Sequence, residues 1–201
     1  MKKIILASAS PRRQDLLRQL GVPFEVCISN TRETINPTEP PGDLVKRLSG
    51  EKADNVLLRA HGPAFILAAD TVVVIQREIL GKPKDRDGAF QILRKLQGGR
   101  HTVYTGVTLV DLENDPVRRK NFVEKTDVFM HAMRDEEIWD YIYTCEPFDK
   151  AGAYAIQGKG SFLVERIEGD YYTVMGLPLA RIAQALKIWG ADLMKAGTAL
   201  S

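Results

Sequence analysis

A nearly unbroken apolar run from Phe65 to Ile75 is the feature that most restricts the fold of this chain. Runs of this kind are typical of strands buried on both faces, which lie in the middle of sheets that carry helices on either side. Asp70 and Thr71 interrupt the run. A carboxylate is costly to bury unless it is paired, hydrogen-bonded or metal-bound. The pattern therefore predicts a central strand with a partnered Asp70, and the alternative is a strand end or β-bulge with a solvated carboxylate.

Helix and strand patterns alternate along the rest of the chain, which indicates an α/β protein with a mixed sheet flanked by helices. Helices are predicted over 11–20, 43–59, 85–96 (or 87–96), 135–144 and 178–189. Further strands are predicted over 4–6, 24–28, 102–111, 121–131, 162–167 and 171–175, with turns over 76–78 and 112–118. Because no boundary divides the chain, 1–201 is predicted to be a single domain, with 191–201 as a flexible tail.

Composition argues against several classes of protein. The chain has 201 residues and a formal net charge of +2, so it lacks the basic field of a nucleic-acid-binding protein. Its apolar runs fall short of the roughly 18 residues that a membrane span needs, and the run after Lys2-Lys3 is too short for a signal peptide. Cys27 and Cys145 show no metal-binding spacing, so reduced thiols in the cytoplasm are predicted, with a single disulfide as the alternative.

The N-terminal segment Ser8-Ala9-Ser10-Pro11-Arg12-Arg13 follows an apolar run and opens a helix pattern. Ser10 suits the N-cap position, and Pro11 suits the first helical position because its missing N–H would have no partner there. The free N–H groups of a helix N-terminus favour a phosphate. Arg12 and Arg13 oppose the helix dipole, and bidentate phosphate binding would explain them. The alternative is a solvated basic pair on an ordinary helix.

Other candidate residues lie far apart in the sequence. Lys52 falls on the apolar stripe of its predicted helix, where a lysine usually extends its amine to solvent. Glu33 lies in a polar loop, where a solvated acid is the ordinary interpretation. Residues 146–160 form an irregular, glycine-rich stretch that is typical of a functional loop, with a long surface connection as the alternative.

Six motifs occur in a defined order: Ser8 to Arg13, Ala68 to Val72, Gly81-Lys82-Pro83, Glu146 to Gly158, Gly169 to Tyr172, and Val174 to Pro178. Together they resemble the Maf family of nucleoside triphosphate pyrophosphatases over nearly the whole chain. The resemblance implies hydrolysis between the α- and β-phosphates, giving a monophosphate and pyrophosphate, with a divalent metal (Mg or Mn). It also implies a two-lobed α/β fold with a central cleft, similar to inosine triphosphate pyrophosphatases, and it is compatible with a homodimer.

The resemblance also implies a set of site residues. The catalytic candidates are Asp70 as the proton acceptor, Lys82, Lys52 and Glu33, and the metal candidates are Asp70 and Glu33. The substrate-binding candidates are Ser8, Arg12, Arg13, Thr71 and Gln157. The chemistry suits these roles, because a triphosphate needs cations and N–H donors, and Mg²⁺ prefers carboxylate and phosphate oxygens.

Three residues bear on the choice of base. Arg12, Thr71 and Gln157 look like the branch of the family that acts on dTTP and UTP. The alternatives are an enzyme for modified or purine triphosphates such as 7-methyl-GTP, and a non-catalytic nucleotide-binding regulator of cell division. The intact Asp70 favours an enzyme. Gly50, just before Lys52, departs from the common pattern and weakens the local helix by roughly 1 kcal/mol relative to alanine.

Overall fold

A computed structural model describes residues 2–36, 38–113 and 117–195. The strands are Lys3–Leu6 (β1), Phe24–Val26 (β2), Ala64–Ile75 (β3), Glu78–Leu80 (β4), Arg100–Asp111 (β5), Arg118–Met130 (β6) and Val164–Glu168 (β7). The α-helices are Pro11–Gln19 (α1), Pro41–Leu57 (α2), Arg86–Leu96 (α3), Asp135–Tyr143 (α4), Tyr171–Met175 (α5) and Leu179–Ile188 (α6). Short 3₁₀ helices occupy Glu146–Asp149, Ala151–Ala153, Gly158–Leu163 and Leu193–Lys195. Among the described residues, no helix is long and apolar enough to cross a membrane.

The strands form one seven-stranded mixed sheet, which confirms the predicted α/β class. The order is β2-β1-β3-β5-β6-β7, and β4 pairs with β3. β1 runs parallel to both β2 and β3, whereas the β3/β4 and β6/β7 pairs are antiparallel. All residues of β3 except Thr71 are buried, as the apolar run predicts for a central strand. Asp70 lies within β3 and is 7% exposed, so the alternative of a strand end with a solvated carboxylate is wrong.

The chain divides into two compact units, each made of separate segments. The first unit consists of Met1–Asp70, Thr105–Glu124 and Gly176–Ser201, and the second consists of Thr71–Tyr104 and Lys125–Met175. In the first unit a buried apolar cluster joins β1, α2, β3 and β5: Ile5, Ala7, Ala53, Val56, Ala64, Ile66, Ala68 and Val110. The predicted single domain, lobes and cleft stay predictions.

Helix α2 packs unusually close to β5 in the first unit. A Cβ atom on Gly106 would lie 2.3 Å from the carbonyl oxygen of Val45, so only glycine permits this approach. Helix α2 begins at Pro41, two residues before its predicted start at residue 43, so Asp43 lies within its first turn. Gly50 does not interrupt α2, which continues to Leu57. Side chains on this helix therefore stand at defined positions over the sheet.

In the second unit the apolar cluster lies between the second half of β3 and helices α3 and α4. Its larger members include Val73, Ile75, Leu93, Leu96, Ile138, Tyr141, Ile142 and Tyr154. Gln76 and Arg77 form the β3–β4 hairpin turn with φ of 50° and 70°, which confirms the predicted turn. Both values match a type I′ turn, whose twist suits a two-residue hairpin.

Residues 171–175 contradict the sequence prediction, because they form α5 and not a strand. The carboxylate of Asp170 accepts hydrogen bonds from the backbone N–H of Thr173 at 2.7 Å and from its hydroxyl at 2.8 Å. Such a bond satisfies an N–H group of the first helical turn, and it stabilises a helix start in a segment whose residues alone favour a strand.

Several boundaries also differ from the predictions. The predicted strand 24–28 ends at Val26, and residues 162–163 belong to a 3₁₀ helix that precedes β7. Within the predicted tail 191–201, Ala191 and Leu193 are buried and Leu193–Lys195 forms a 3₁₀ turn. Residues 114–116 of the predicted turn, and 196–201 of the predicted tail, lie outside the described residues.

His101 is a buried titratable residue of the second unit, to which the sequence assigns no role. Its Nε2 lies 2.7 Å from the Tyr154 hydroxyl, and its Nδ1 is buried with no hydrogen-bond partner among the described residues. Burial lowers the pKa of His101 from 6.5 to about 4, against a weaker opposite effect from Asp127. The imidazole is therefore neutral in the folded protein near pH 7.

We expect His101 to make the fold sensitive to acid. Because its folded pKa is lower than its unfolded pKa, the unfolded chain binds the proton first, and stability falls as pH drops from about 6.5 to about 4. The loss amounts to about 3 kcal/mol at pH 4. Urea denaturation of the parent and of His101→Gln across this range measures it, and parallel pH profiles for the two proteins would contradict the prediction.

Candidate active site

Ser8 and Arg13 form a buried pair beyond the carboxyl end of β1. The Ser8 hydroxyl accepts hydrogen bonds from the backbone N–H of Ser10 at 3.2 Å and from Nη1 of Arg13 at 3.1 Å. Nε of Arg13 donates to the carbonyl oxygen of Gly176 at 2.8 Å. Arg13 is only 8% exposed, so the alternative of a solvated basic pair is wrong for this residue. A buried guanidinium supplies a fixed positive charge for an anion.

The first turn of α1 carries this pair. Ser10 occupies the N-cap position and Pro11 the first helical position, as predicted, but the Ser10 side chain makes no capping hydrogen bond. Arg12 is half-buried in the same turn. The arrangement places backbone N–H groups and two guanidinium groups at one helix N-terminus.

Lys52 joins two carboxylates from different segments of the first unit. It projects from α2, donates a hydrogen bond to Oδ1 of Asp70, and lies 2.7 Å from Oε1 of Glu33. The side chains of Lys52 and Asp70 are 13% and 10% exposed, whereas that of Glu33 is 52% exposed. Lys52 is thus held between two acids rather than extended into solvent. We call these three residues the acid–lysine cluster.

Burial and the nearby positive charges shift the pKa of Asp70 in opposite directions. Burial is the largest influence and raises the pKa of Asp70 above its usual value. The ammonium of Lys52 and the guanidinium of Arg13 act in the opposite direction and favour the ionised carboxylate. A base whose pKa lies nearer to neutral pH accepts a proton more readily in a transition state, provided that it is ionised beforehand. Asp70 therefore has the surroundings of a general base.

The carboxylates of the cluster suit a hard divalent cation. Asp70 and Glu33 offer oxygen ligands, which Mg²⁺ prefers, and Mg²⁺ is usually held by one or two carboxylates together with substrate phosphates. Within residues 2–36, 38–113 and 117–195, no group of three or more His, Cys, Asp or Glu side chains could hold a metal. Two carboxylates are a donor set that fits a metal which takes its other ligands from water and phosphate.

The remaining predicted site residues belong to the second unit. Thr71 follows Asp70 in β3 and is half-buried, while Lys82 and Gln157 are exposed. The Gly81 carbonyl accepts a hydrogen bond from the Gly152 N–H at 3.1 Å, which brings the Gly81–Lys82 turn to the glycine-rich loop. Gly152 has φ of +74°, and a Cβ there would lie 2.9 Å from a methyl carbon of Val73. Only glycine lets the loop meet β3 this closely.

The backbone around Gln157 is held on both sides. The Tyr141 hydroxyl accepts a hydrogen bond from the Ala155 N–H at 3.2 Å. Gly158 adopts φ of +64°, and a Cβ there would lie 2.3 Å from Oε1 of Glu146. Because its two neighbouring turns are packed in this way, the exposed Gln157 side chain stands on a fixed support.

Sequence reasoning misses one cation in each unit. Lys150, 9% exposed, donates to the carbonyl oxygen of Glu146 at 2.6 Å and to the Asp149 carboxylate at 2.5 Å, and so closes the start of the glycine-rich loop. Arg47 on α2 donates to the carbonyl oxygen of Thr34, next to Glu33, at 2.9 Å. Polar residues recur every fourth position around Arg47 along α2, but an ordinary solvated helix face has the same pattern, so the signal is not specific.

Comparison with known proteins gives matches over almost the whole chain. The family model described as "Maf-like protein" matches residues 3–189. A protein named dTTP/UTP pyrophosphatase from Caldicellulosiruptor saccharolyticus is 48% identical over 200 residues, covering 97% of this chain and 98% of that protein. Proteins of the same name from Lachnoclostridium phytofermentans and Bacillus cereus are 46% and 45% identical, and cover 97% and 98% of this chain and 99% and 100% of their own lengths.

Solved structures give more distant matches. A HAM1 protein from Coxiella burnetii is 15% identical, with a TM-score of 0.42, over 65% of this chain and 73% of that chain. The Staphylococcus aureus Ham1 protein is 12% identical, with a TM-score of 0.40, over 64% and 72%. The α/β class consequently rests on the sheet described above.

Proposed function

The chain belongs to the Maf family, and on that premise we propose that it hydrolyses dTTP and UTP to the nucleoside monophosphate and pyrophosphate. The observation that carries this proposal is the acid–lysine cluster, in which a buried carboxylate of a central strand is paired with the ammonium of Lys52. Relatives that are 45–48% identical over nearly the full length and are named for this activity support the choice of substrate.

Asp70 acts as the proton acceptor in the proposed reaction. A water oxygen forms a new bond to the α-phosphorus. The bond from the α-phosphorus to the oxygen that bridges the α- and β-phosphates breaks, and pyrophosphate leaves with that electron pair. The water proton passes to the Asp70 carboxylate. Lys52 and Arg13 support this role, since their charges favour the ionised form of a carboxylate whose pKa burial raises.

The other predicted residues bind and neutralise the substrate. Arg13 and Ser8 provide donors for phosphate oxygens beside the N-terminus of α1, and Arg12 adds a second guanidinium in the same turn. Lys82 neutralises charge that develops on the phosphate groups. Asp70 and Glu33 would hold the divalent cation, which lowers the charge of the bound triphosphate.

A product assay tests the reaction. Purified protein with Mg²⁺ or Mn²⁺ is given dTTP, UTP, purine triphosphates and 7-methyl-GTP, and pyrophosphate and orthophosphate are measured separately. We expect equal amounts of monophosphate and pyrophosphate from dTTP and UTP. Release of orthophosphate and a diphosphate would refute the proposed bond cleavage. Turnover restricted to purines or 7-methyl-GTP would move the protein to the other substrate class, and binding without turnover would favour a regulator.

Gln157 is expected to read the base. Its amide both donates and accepts hydrogen bonds, so it matches a pyrimidine edge that carries both kinds of group, and its backbone is held by the packing of Gly158. Gln157→Ala should lower kcat/KM for dTTP and UTP by about tenfold, and more than for purine triphosphates. Phe162→Ala, at an 80% exposed residue of the following 3₁₀ helix, is the control. An equal loss for every base would remove Gln157 from base recognition.

The proposed activity implies a cytoplasmic protein, since its substrates are intracellular nucleotides. Binding of nucleic acid is not part of the proposal. The homodimer stays a prediction, which sedimentation equilibrium of the purified protein would test.

A further inference from the structure

One face of α2 and of the turn that follows it carries four polar residues at four-residue spacing: Arg47, Glu51, Asn55 and Arg59. Residues four apart lie above one another on a helix, so these side chains form a continuous row. The segment that leads from β2 to α2, residues 27–40, contains no helix or strand where the structure describes it. This segment carries Glu33.

Residues of the polar row make hydrogen bonds to the segment along the length of the row. Nη2 of Arg59 donates to the carbonyl oxygen of Ile28 at 2.8 Å, and the Asn55 side chain accepts from the N–H of Asn30 at 3.1 Å. The Thr31 hydroxyl contacts the carbonyl oxygen of Glu51 at 3.4 Å. The segment therefore runs along the helix and is hydrogen-bonded to it at several successive turns.

Arg47 makes the contacts nearest to Glu33. Its Nη2 donates to the carbonyl oxygen of Thr34 at 2.9 Å and to Glu39 at 2.7 Å, while its Nη1 donates to Glu51 at 2.8 Å. A planar guanidinium serves all three acceptors at once, whereas a lysine ammonium on a flexible stem cannot reproduce this fork. The side chain of Arg47 is 35% exposed. It contacts the segment on either side of residue 37, at Thr34 and at Glu39.

The position of Glu33 follows from these contacts. Lys52, which meets Glu33 at 2.7 Å, lies on the same helix one residue after Glu51. Helix α2 thus carries both the cation that meets Glu33 and the side chains that hold the backbone around it.

We propose that Arg47 is a positioning residue for the active site: by fixing Thr34 and Glu39 on α2, it keeps the Glu33 carboxylate at Lys52 and available to the divalent cation. The second half of this statement rests on the proposed role of Glu33. The first half concerns the folded protein alone and is tested without substrate.

Amide hydrogen exchange of the substrate-free protein tests the attachment of the segment. Arg47→Ala should exchange roughly tenfold faster or more over residues 32–36, since the loss of charged hydrogen bonds lowers the free energy of local opening. Arg119→Ala is the matched control. Arg119 also pairs with an acid of α2, Asp54, and with a backbone carbonyl, that of Gly50, but both of these partners lie on the helix and not on the segment. Unchanged exchange in Arg47→Ala would overturn the proposal.

Kinetics test the link to Glu33. Arg47→Ala should raise the Mn²⁺ concentration for half-maximal dTTP hydrolysis by about tenfold, the size of effect seen when a residue that supports a metal ligand is removed. Arg119→Ala should not change it. In a Glu33→Gln background, Arg47→Ala should change kcat and the metal requirement by less than about twofold, because residues that act through one group are not additive.

The outcomes separate the two proposals. Arg47→Lys keeps the charge but loses the fork, so it should resemble Arg47→Ala in exchange and in metal requirement. Parent-like exchange and metal requirement in Arg47→Lys would overturn the claim that the guanidinium fork holds the segment. Faster exchange with unchanged metal dependence would overturn the positioning role. If the parent protein hydrolyses none of the triphosphates, the proposed function fails, while the exchange result still decides whether Arg47 holds the segment.

Discussion

The Asp70→Asn variant is expected to fold like the parent protein and to lose about 10²-fold or more in kcat. Asparagine keeps the size of the side chain and its ability to accept a hydrogen bond, but it cannot take a proton from water. Asp70 is buried within β3 and bonded to Lys52, so the substitution removes charge and basicity at a site whose shape is preserved. KM should change less than kcat if the role of Asp70 lies in the transition state.

A second buried carboxylate provides the control for this variant. Asp111 is buried and accepts hydrogen bonds from Lys2 at 2.7 Å and from Arg118 at 2.9 Å. These partners lower the pKa of Asp111, even though burial acts against them. Asp111→Asn should therefore cost stability without a comparable loss of kcat. Circular dichroism, thermal melting and turnover are measured on both variants, and a folded, fully active Asp70→Asn protein would remove Asp70 from the mechanism.

Lys52→Met should produce the largest loss of stability among the variants considered, roughly 3 kcal/mol or more. The substitution preserves most of the aliphatic stem but removes the ammonium that pairs with Asp70 inside the first unit. A buried carboxylate without its counter-charge either bears its full desolvation penalty or binds a proton. Activity should fall as well, because the pKa of Asp70 rises further when Lys52 no longer favours the ionised form.

A double variant separates lost pairing from lost packing. Lys52→Met combined with Asp70→Asn removes the uncompensated charge, so it should recover much of the stability that Lys52→Met loses. Lys46→Met, on the same helix but at a lysine whose side chain is 41% exposed and lies 3.4 Å from Asp43, should change stability by less than about 0.5 kcal/mol. Urea denaturation measures all three proteins. The prediction is wrong if Lys52→Met is as stable as the parent.

Long periodic segments of this chain are predictable from residues alone, whereas short ones are not. The 12 residues of β3 are almost all apolar, and their burial follows from the cost of exposing them. The five residues of α5 carry no such pattern, because tyrosine, threonine and valine favour a strand locally. Their helix depends on the carboxylate of Asp170, whose bonds to Thr173 outweigh the propensity of the segment.

The candidate site likewise has some features that are predictable from the sequence and others that are not. The turn from Ser8 to Arg13 is recognisable in the sequence, because serines, a proline and paired arginines at a helix start together suit the binding of a phosphate. The burial of Arg13 and its bond to Gly176 are not recognisable, since that contact joins residues 163 positions apart. The row on α2 that holds the Glu33 segment also escapes notice, because polar residues at four-residue spacing usually form an ordinary solvated face.

By itself the sequence determined the class of sheet, the central strand with its interrupting carboxylate, and the motifs that mark the family. These features depend on local periodicity and on residue types, which are present before any folding occurs. Only the tertiary structure decided that Lys52 would lie between Asp70 and Glu33 instead of in solvent. The position of Lys52 depends on the close packing of α2 against β5, which brings its side chain to both acids. A contact between separate segments of this kind cannot be predicted from the residues of any one segment.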